Sequence, residues 1–164
     1  MKSKSLKLYE RWVKRDPILT KKVMSQDRCE IEPEFMCFEM YEPLSKMIPK
    51  HWTIFDIGCA FAPQCLYFKD HKRYVGVDPG ELIRFMTPNT GILQSTVKEW
   101  IAEWDCPQGI NFEESFAIMS YVPADEYSYF LVKTHFKNMF IYYPAGNDVK
   151  ILSKNVSDLR EMSK

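Results

Sequence analysis

Two short apolar runs, Thr53–Ile57 and Arg73–Asp78, stand close together, with room for one helix between them. Runs of this length with little polar alternation read as strands buried on both faces. Parallel neighbours need a crossover of a dozen or more residues, which the intervening stretch supplies. Each run also leads into a turn. The first ends Asp56-Ile57-Gly58-Cys59-Ala60-Phe61-Ala62-Pro63, small residues followed by a proline suited to a first helical position. The second ends Asp78-Pro79-Gly80. Few folds other than an α/β fold satisfy this arrangement.

The rest of the chain continues the alternation. Pro63 to Asp70 reads as a helix, Gly91–Ser95 as a third strand, and Val97–Trp104 as a helix with Val97, Trp100, Ile101 and Trp104 in register. Phe116–Val122 and Met139–Tyr143 read as the fourth and fifth strands, with a helix over Ala124–His135 between them. Such a sheet has helices on both faces and binds ligands beyond the carboxyl ends of its strands. Before it, Leu6, Tyr9, Trp12 and Val13 mark a helix over 5–15. Asp16-Pro17 caps a second helix, with Ile18, Leu19 and Val23 inward, and 34–48 is helical with Pro43 splitting it. The organisation expected is one domain: a helical cap over 1–50, an α/β core over 51–145 and a tail over 146–164.

Composition limits the function classes. The chain is 46% apolar and 27% charged, so it folds. Its formal net charge is zero, which gives no general attraction to nucleic acid. Residues 1–28 carry nine Lys/Arg against three Asp/Glu, which reads as the polar face of helices. The acids Glu113, Glu114, Asp125 and Glu126 read likewise as solvated surface. Five cysteines, at 29, 37, 59, 65 and 106, contain no C-x-x-C pair, and the three histidines have no companion ligand at metal spacing. Reduced thiols, no apolar run of membrane length and no signal-peptide pattern point to a cytoplasmic protein with no metal and no membrane partner.

The chemistry concentrates at the strand ends. Gly58 lets the backbone turn sharply and approach a ligand. Twenty residues later, Asp78 presents a carboxylate able to accept both hydroxyls of a ribose diol. A small-residue turn, a helix start and an acid at the next strand end together make a nucleoside site.

The stretch Leu44–Asp78 resembles the class I S-adenosylmethionine-dependent methyltransferases. Asp56-Ile57-Gly58-Cys59 is similar to the start of that family's first motif, and Val75-Gly76-Val77-Asp78 to its second. The resemblance implies a three-layer, Rossmann-like sheet of five mainly parallel strands in the order 3-2-1-4-5, behind N-terminal helices. It implies S-adenosylmethionine as cofactor. Asp56 and the turn Gly58, Cys59, Ala60 and Ala62 would hold the methionine portion, and Asp78 the ribose. Pro79 would lie near the adenine, with Gln94 and Ser95 at its edge. Ser120 and Tyr121, after the fourth strand, would stand where methyl group and substrate meet.

The pattern departs from the family in two ways. Ala60 and Ala62 replace the second and third glycines of the motif. About twenty residues follow the fifth strand, so the family's terminal antiparallel hairpin is expected to be absent. That would leave the fifth strand an exposed edge, inviting a homodimer. The function expected is methyl transfer to an unidentified acceptor, a small molecule rather than nucleic acid. The Asn/Asp-Pro-Pro-Tyr/Phe signature of DNA amino methylation is replaced by Ser120-Tyr121-Val122-Pro123. The alternative is a non-catalytic cofactor-binding or scaffold protein. A nicotinamide oxidoreductase fits less well, since Gly58, Ala60 and Pro63 leave one glycine in G-x-G-x-x-G.

Overall fold

The structure, a computed structural model, describes residues 10–26 except 12, 38–102, 111–120, 135–145 and 148–153. Leu6, Tyr9, Trp12, Phe35, Trp104, Tyr121, residues 124–134 of the helix expected over Ala124–His135, Asp125 and Glu126 among them, and cysteines 29, 37 and 106 lie outside the described residues.

A sheet of six strands forms the middle layer: β1 (Thr53–Ile57), β2 (Arg73–Val77), β3 (Thr90–Leu93), β4 (Ser115–Ser120), β5 (Met139–Ala145) and β6 (Asp148–Ser153). Their order is β3-β2-β1-β4-β5-β6. The first five are parallel, with β1 central, so the order 3-2-1-4-5 stands. Alternation along β1 sends Ile54 and Asp56 to one face, Phe55 and Ile57 to the other. On the first face lie α1 (Pro17–Met24), α2 (Phe38–Met47) and a 3-10 helix over Pro63–Phe68, burying Val23, Tyr41, Leu44, Phe68 and Tyr74 with Ile54 and Ile118. The second face buries Phe55 against Trp100 of α3 (Val97–Ala102) and Phe136, with ring centroids 5.6 and 5.2 Å away.

The expected absence of a terminal antiparallel hairpin is overturned. β6 runs antiparallel to β5, pairing Tyr142 with Ile151 and Ala145 with Asp148. The two residues between the strands are Gly146-Asn147, a pair favoured in two-residue hairpin turns. β5 therefore has a neighbour on each side, and the edge of the sheet on this side is β6 rather than β5. Residues 148–153 belong to the sheet rather than to a tail.

The helices differ from expectation in detail. Asp16 caps α1 as predicted, its Oδ1 accepting from the Leu19 N–H at 2.9 Å. The buried stripe of α1 runs through Thr20 and Val23, however, so Ile18 faces outward and is 72% exposed. Pro43 does not divide its segment. α2 continues through it as a helix over Phe38–Met47, without the backbone bond that an N–H at position 43 would make to the Glu39 carbonyl. After β1, the expected helix is the tighter 3-10 form. Residues 78–89 cross from β2 to β3 without a helix.

Candidate functional site

The carboxyl ends of β1 and β2 are locked together by the backbone. The Gly58 N–H donates to the Val77 carbonyl at 2.7 Å, and the Asp78 N–H to the Leu93 carbonyl at 3.1 Å. These bonds bring the ends of β1, β2 and β3 into one rim. Three residues of the first turn adopt left-handed backbone: Gly58 (φ 78°), Ala60 (φ 45°) and Ala62 (φ 54°). The two alanines thus occupy positions whose geometry favours glycine. The curl is closed by Ala62 N–H donating to the Cys59 carbonyl at 2.7 Å. Ala60 is exposed at the rim, whereas Ala62 is fully buried in the core, so only one of the two methyls stands at the surface of the site.

Asp78 is the hub of the rim. Its Oδ2 accepts from the Ala60 N–H at 3.2 Å, and its Oδ1 accepts from the Gly80 N–H at 2.9 Å and from Arg84 Nη2 at 3.2 Å. Its side chain is 17% exposed. A carboxylate offers about four acceptor positions, so one remains on Oδ2.

Arg84 escaped the sequence reading. It is 8% exposed and donates from Nε to the Ala60 carbonyl at 2.9 Å, from Nη1 to Leu82 at 3.0 Å and from Nη2 to Gly80 at 2.6 Å. Nothing in the sequence marks it, because three of its four partners are backbone carbonyls, one in the turn after β1 and two in the irregular segment after β2.

Asp56, expected to face the ligand, is fully buried. Its Oδ1 accepts from the Tyr41 hydroxyl at 3.1 Å; its Oδ2 accepts from Gln64 Nε2 at 2.5 Å and from the Tyr74 hydroxyl. Burial pushes its carboxyl up to about 6, against the downward pull of the three donors. Tyr74 is likewise driven well above the ordinary phenol range by burial and by Asp56. Gln64 also donates to the Cys59 carbonyl at 3.2 Å, so Asp56 reaches the turn through Gln64. Tyr41, Gln64 and Tyr74 were all missed. For Tyr74, a signal was present: it and Gly76 fall on the same strand face as Asp56.

Cys59 is buried, and burial raises its thiol far above the ordinary range, as it raises that of Cys65 to about 12. Both are packing residues. A Cβ on Gly76 would lie 2.6 Å from Cys59 Sγ and 2.9 Å from Ile92 Cδ1, so the glycine makes room for that sulfur.

The remaining expected residues border the rim. Pro79 and Gln94 are exposed, and Ser95 Oγ donates to the Thr96 carbonyl at 3.0 Å. Thr96 and Glu99 form a capping box at the start of α3: Thr96 Oγ1 accepts from the Glu99 N–H at 3.1 Å, and Glu99 Oε2 accepts from the Thr96 N–H at 3.0 Å. Ser120 ends β4, one residue past the pairing of Ile57 with Met119, which brings it level with Gly58. Among the described residues, no three His, Cys, Asp or Glu side chains gather as a metal site, and no helix is long and apolar enough to cross a membrane.

No family model and no curated protein matches the sequence. Solved structures do match by fold. The plantazolicin methyltransferase BpumL, in complex with a pentazolic desmethylPZN analog and SAH, superposes with a TM-score of 0.51 at 14% identity, over 87% of this chain and 60% of that one. The bifunctional kinase-methyltransferase WbdD gives 0.44 at 16% identity, over 65% of this chain and 27% of that one. The chain thus spans less than two thirds of the length of either protein. Strand order, the parallel core and the likeness to BpumL define the class I, S-adenosylmethionine-dependent methyltransferase fold.

Proposed function

We propose that this chain binds S-adenosylmethionine across the carboxyl ends of β1, β2 and β3 and passes its methyl group to a small-molecule acceptor. The observation that carries the reading is the meeting of the left-handed turn with the acid after β2, joined by the Ala60 N–H on Asp78. The residues suit the cofactor. Asp78 keeps an acceptor position for a ribose hydroxyl, and the methyl of Ala62 lies in the core, out of a ligand's way.

In this reading the open position on Asp78 Oδ2 receives the 2′-hydroxyl of the ribose, one of the two hydroxyls first expected there, and the Gly58–Ala62 backbone, with Cys59 and Ala60, lines the methionine portion. Pro79, Gln94 and Ser95 border the adenine, Ser120 stands near the methyl, and Tyr121 meets the acceptor. Asp56 acts at one remove, setting the turn through Gln64. The cofactor's sulfonium supplies the leaving group, so the protein's task is alignment of nucleophile and methyl at about 3–3.5 Å. A base is required only where the acceptor must shed a proton early. A cytoplasmic setting suits the free thiols Cys59 and Cys65.

Isothermal titration with S-adenosylmethionine and S-adenosylhomocysteine, on the wild type and on Asp78→Asn, tests the reading. Hydrogen bonds to a charged acceptor contribute about 1.5–3 kcal/mol each, so Asp78→Asn should weaken binding at least about tenfold. Absence of heat and of thermal shift with both ligands on the wild type overturns it, in favour of a non-catalytic scaffold.

A further inference from the structure

We propose that Arg84 is the positioning residue of this site, fixing the Asp78 carboxylate and the Gly58–Ala62 turn in one register so that a ribose meets both at once. The inference rests on the reading of Asp78 as the ribose acceptor. A guanidinium carries five donors on a rigid plane and no acceptor. Here the Nε edge serves the turn after β1, through the Ala60 carbonyl at 2.9 Å. The Nη1 and Nη2 groups serve the segment after β2, through Leu82 at 3.0 Å, Gly80 at 2.6 Å and the Asp78 carboxylate at 3.2 Å. One planar group therefore joins two loops that also meet through the Ala60 N–H on Asp78 and the Phe85 N–H on the Phe61 carbonyl at 2.9 Å. Because Arg84 is nearly enclosed, it is a fixed strut rather than a surface partner that comes and goes. With the Gly80 N–H it fills Oδ1 and leaves the open acceptor position on Oδ2, so the two donors together set which carboxylate oxygen faces a ligand. Lysine would not substitute. Its ammonium is a point charge that cannot span both loops with fixed geometry.

The alternative is that Arg84 only pins the fold. Affinity for S-adenosylhomocysteine and for its 2′-deoxyribose analogue, measured on the wild type, Arg84→Met and Arg84→Lys, separates the two. On the wild type the deoxy analogue lacks one hydrogen bond to a charged acceptor and should bind at least about tenfold more weakly. With Arg84→Met, a carboxylate released from its clamp no longer holds the 2′-hydroxyl, and the ratio should fall below about twofold; Arg84→Lys should lie between. Unfolding midpoints of the same proteins report fold integrity. Should Arg84→Met not fold, the Arg84→Lys ratio decides. Variants that lose stability yet keep the wild-type ratio overturn the positioning role while leaving the cofactor reading intact. A wild type that binds both ligands equally overturns the role of Asp78 and this inference with it. A wild type that binds neither removes the cofactor reading itself.

Discussion

Ala60→Gly and Ala62→Gly make one chemical change at two left-handed residues, yet the structure assigns them different outcomes. An L-residue in that region carries a penalty of roughly 1–2 kcal/mol that glycine escapes. Glycine returns about 0.4–1 kcal/mol of this through the greater freedom it gives the unfolded chain. Ala60 is exposed, so nothing further is lost, and its variant should gain about 0.5–1 kcal/mol. Ala62 is fully buried among core side chains, and deleting its methyl removes about 0.8 kcal/mol of burial, which cancels the gain. Urea unfolding with an unchanged m-value gives the comparison, and in a chain of this size 1 kcal/mol moves the thermal midpoint by about 2–4 °C. Ala60→Gly should raise the midpoint, while Ala62→Gly should leave it level or slightly lower. A destabilised Ala60→Gly would refute the left-handed turn. An Ala62→Gly that gains as much as Ala60→Gly would refute the burial of its methyl.

Two further expectations follow from the site. Asp56 titrates near 6 in the folded state against 3.8 as an ordinary carboxyl, so its contribution to stability is present below about pH 4 and is lost as pH rises through 6. Asp56→Asn should therefore gain on the wild type between pH 4 and 7, by an amount of order 3 kcal/mol; parallel stability profiles for the two proteins would contradict the raised carboxyl. Gly76→Ala drives a Cβ into Cys59 Sγ and Ile92 and should lose about 1–3 kcal/mol. Adding Cys59→Ala should recover part of that loss, and strict additivity of the two changes in denaturation would show that the sulfur is not the obstacle.

The elements legible in the sequence are those whose burial is nearly continuous. β1 and β2 are enclosed on both faces, so Thr53–Ile57 and the run before Asp78 stand out as unbroken apolar segments, and the acid-to-glycine spacing follows from them. β6 was hidden because Asp148–Ser153 is short and mixed in polarity, and the signal of Gly146-Asn147 before it went unused. Asp56 was legible as an acid at a strand end but not in its direction. A buried carboxylate and a ligand-facing one look alike until Tyr41, Gln64 and Tyr74 are brought from three separate elements. Arg84 lay furthest from view, since it stands in a crossover that has no helical period to read and reaches backbone carbonyls of two separate loops.

Gln26, just past α1, grips Ile83 as a neighbouring strand would, its Nε2 donating to the Ile83 carbonyl at 2.8 Å and its Oε1 accepting the Ile83 N–H at 2.7 Å. The two residues are 57 apart in sequence, and Ile83 adjoins Arg84. The amide proton of Ile83 is therefore guarded by a side chain just past the end of α1, whereas that of Phe85 is guarded by the Phe61 carbonyl of the turn. Isotope exchange at these two positions, two residues apart, should keep different clocks: Ile83 opening whenever α1 lifts away, Phe85 only when the rim itself comes apart.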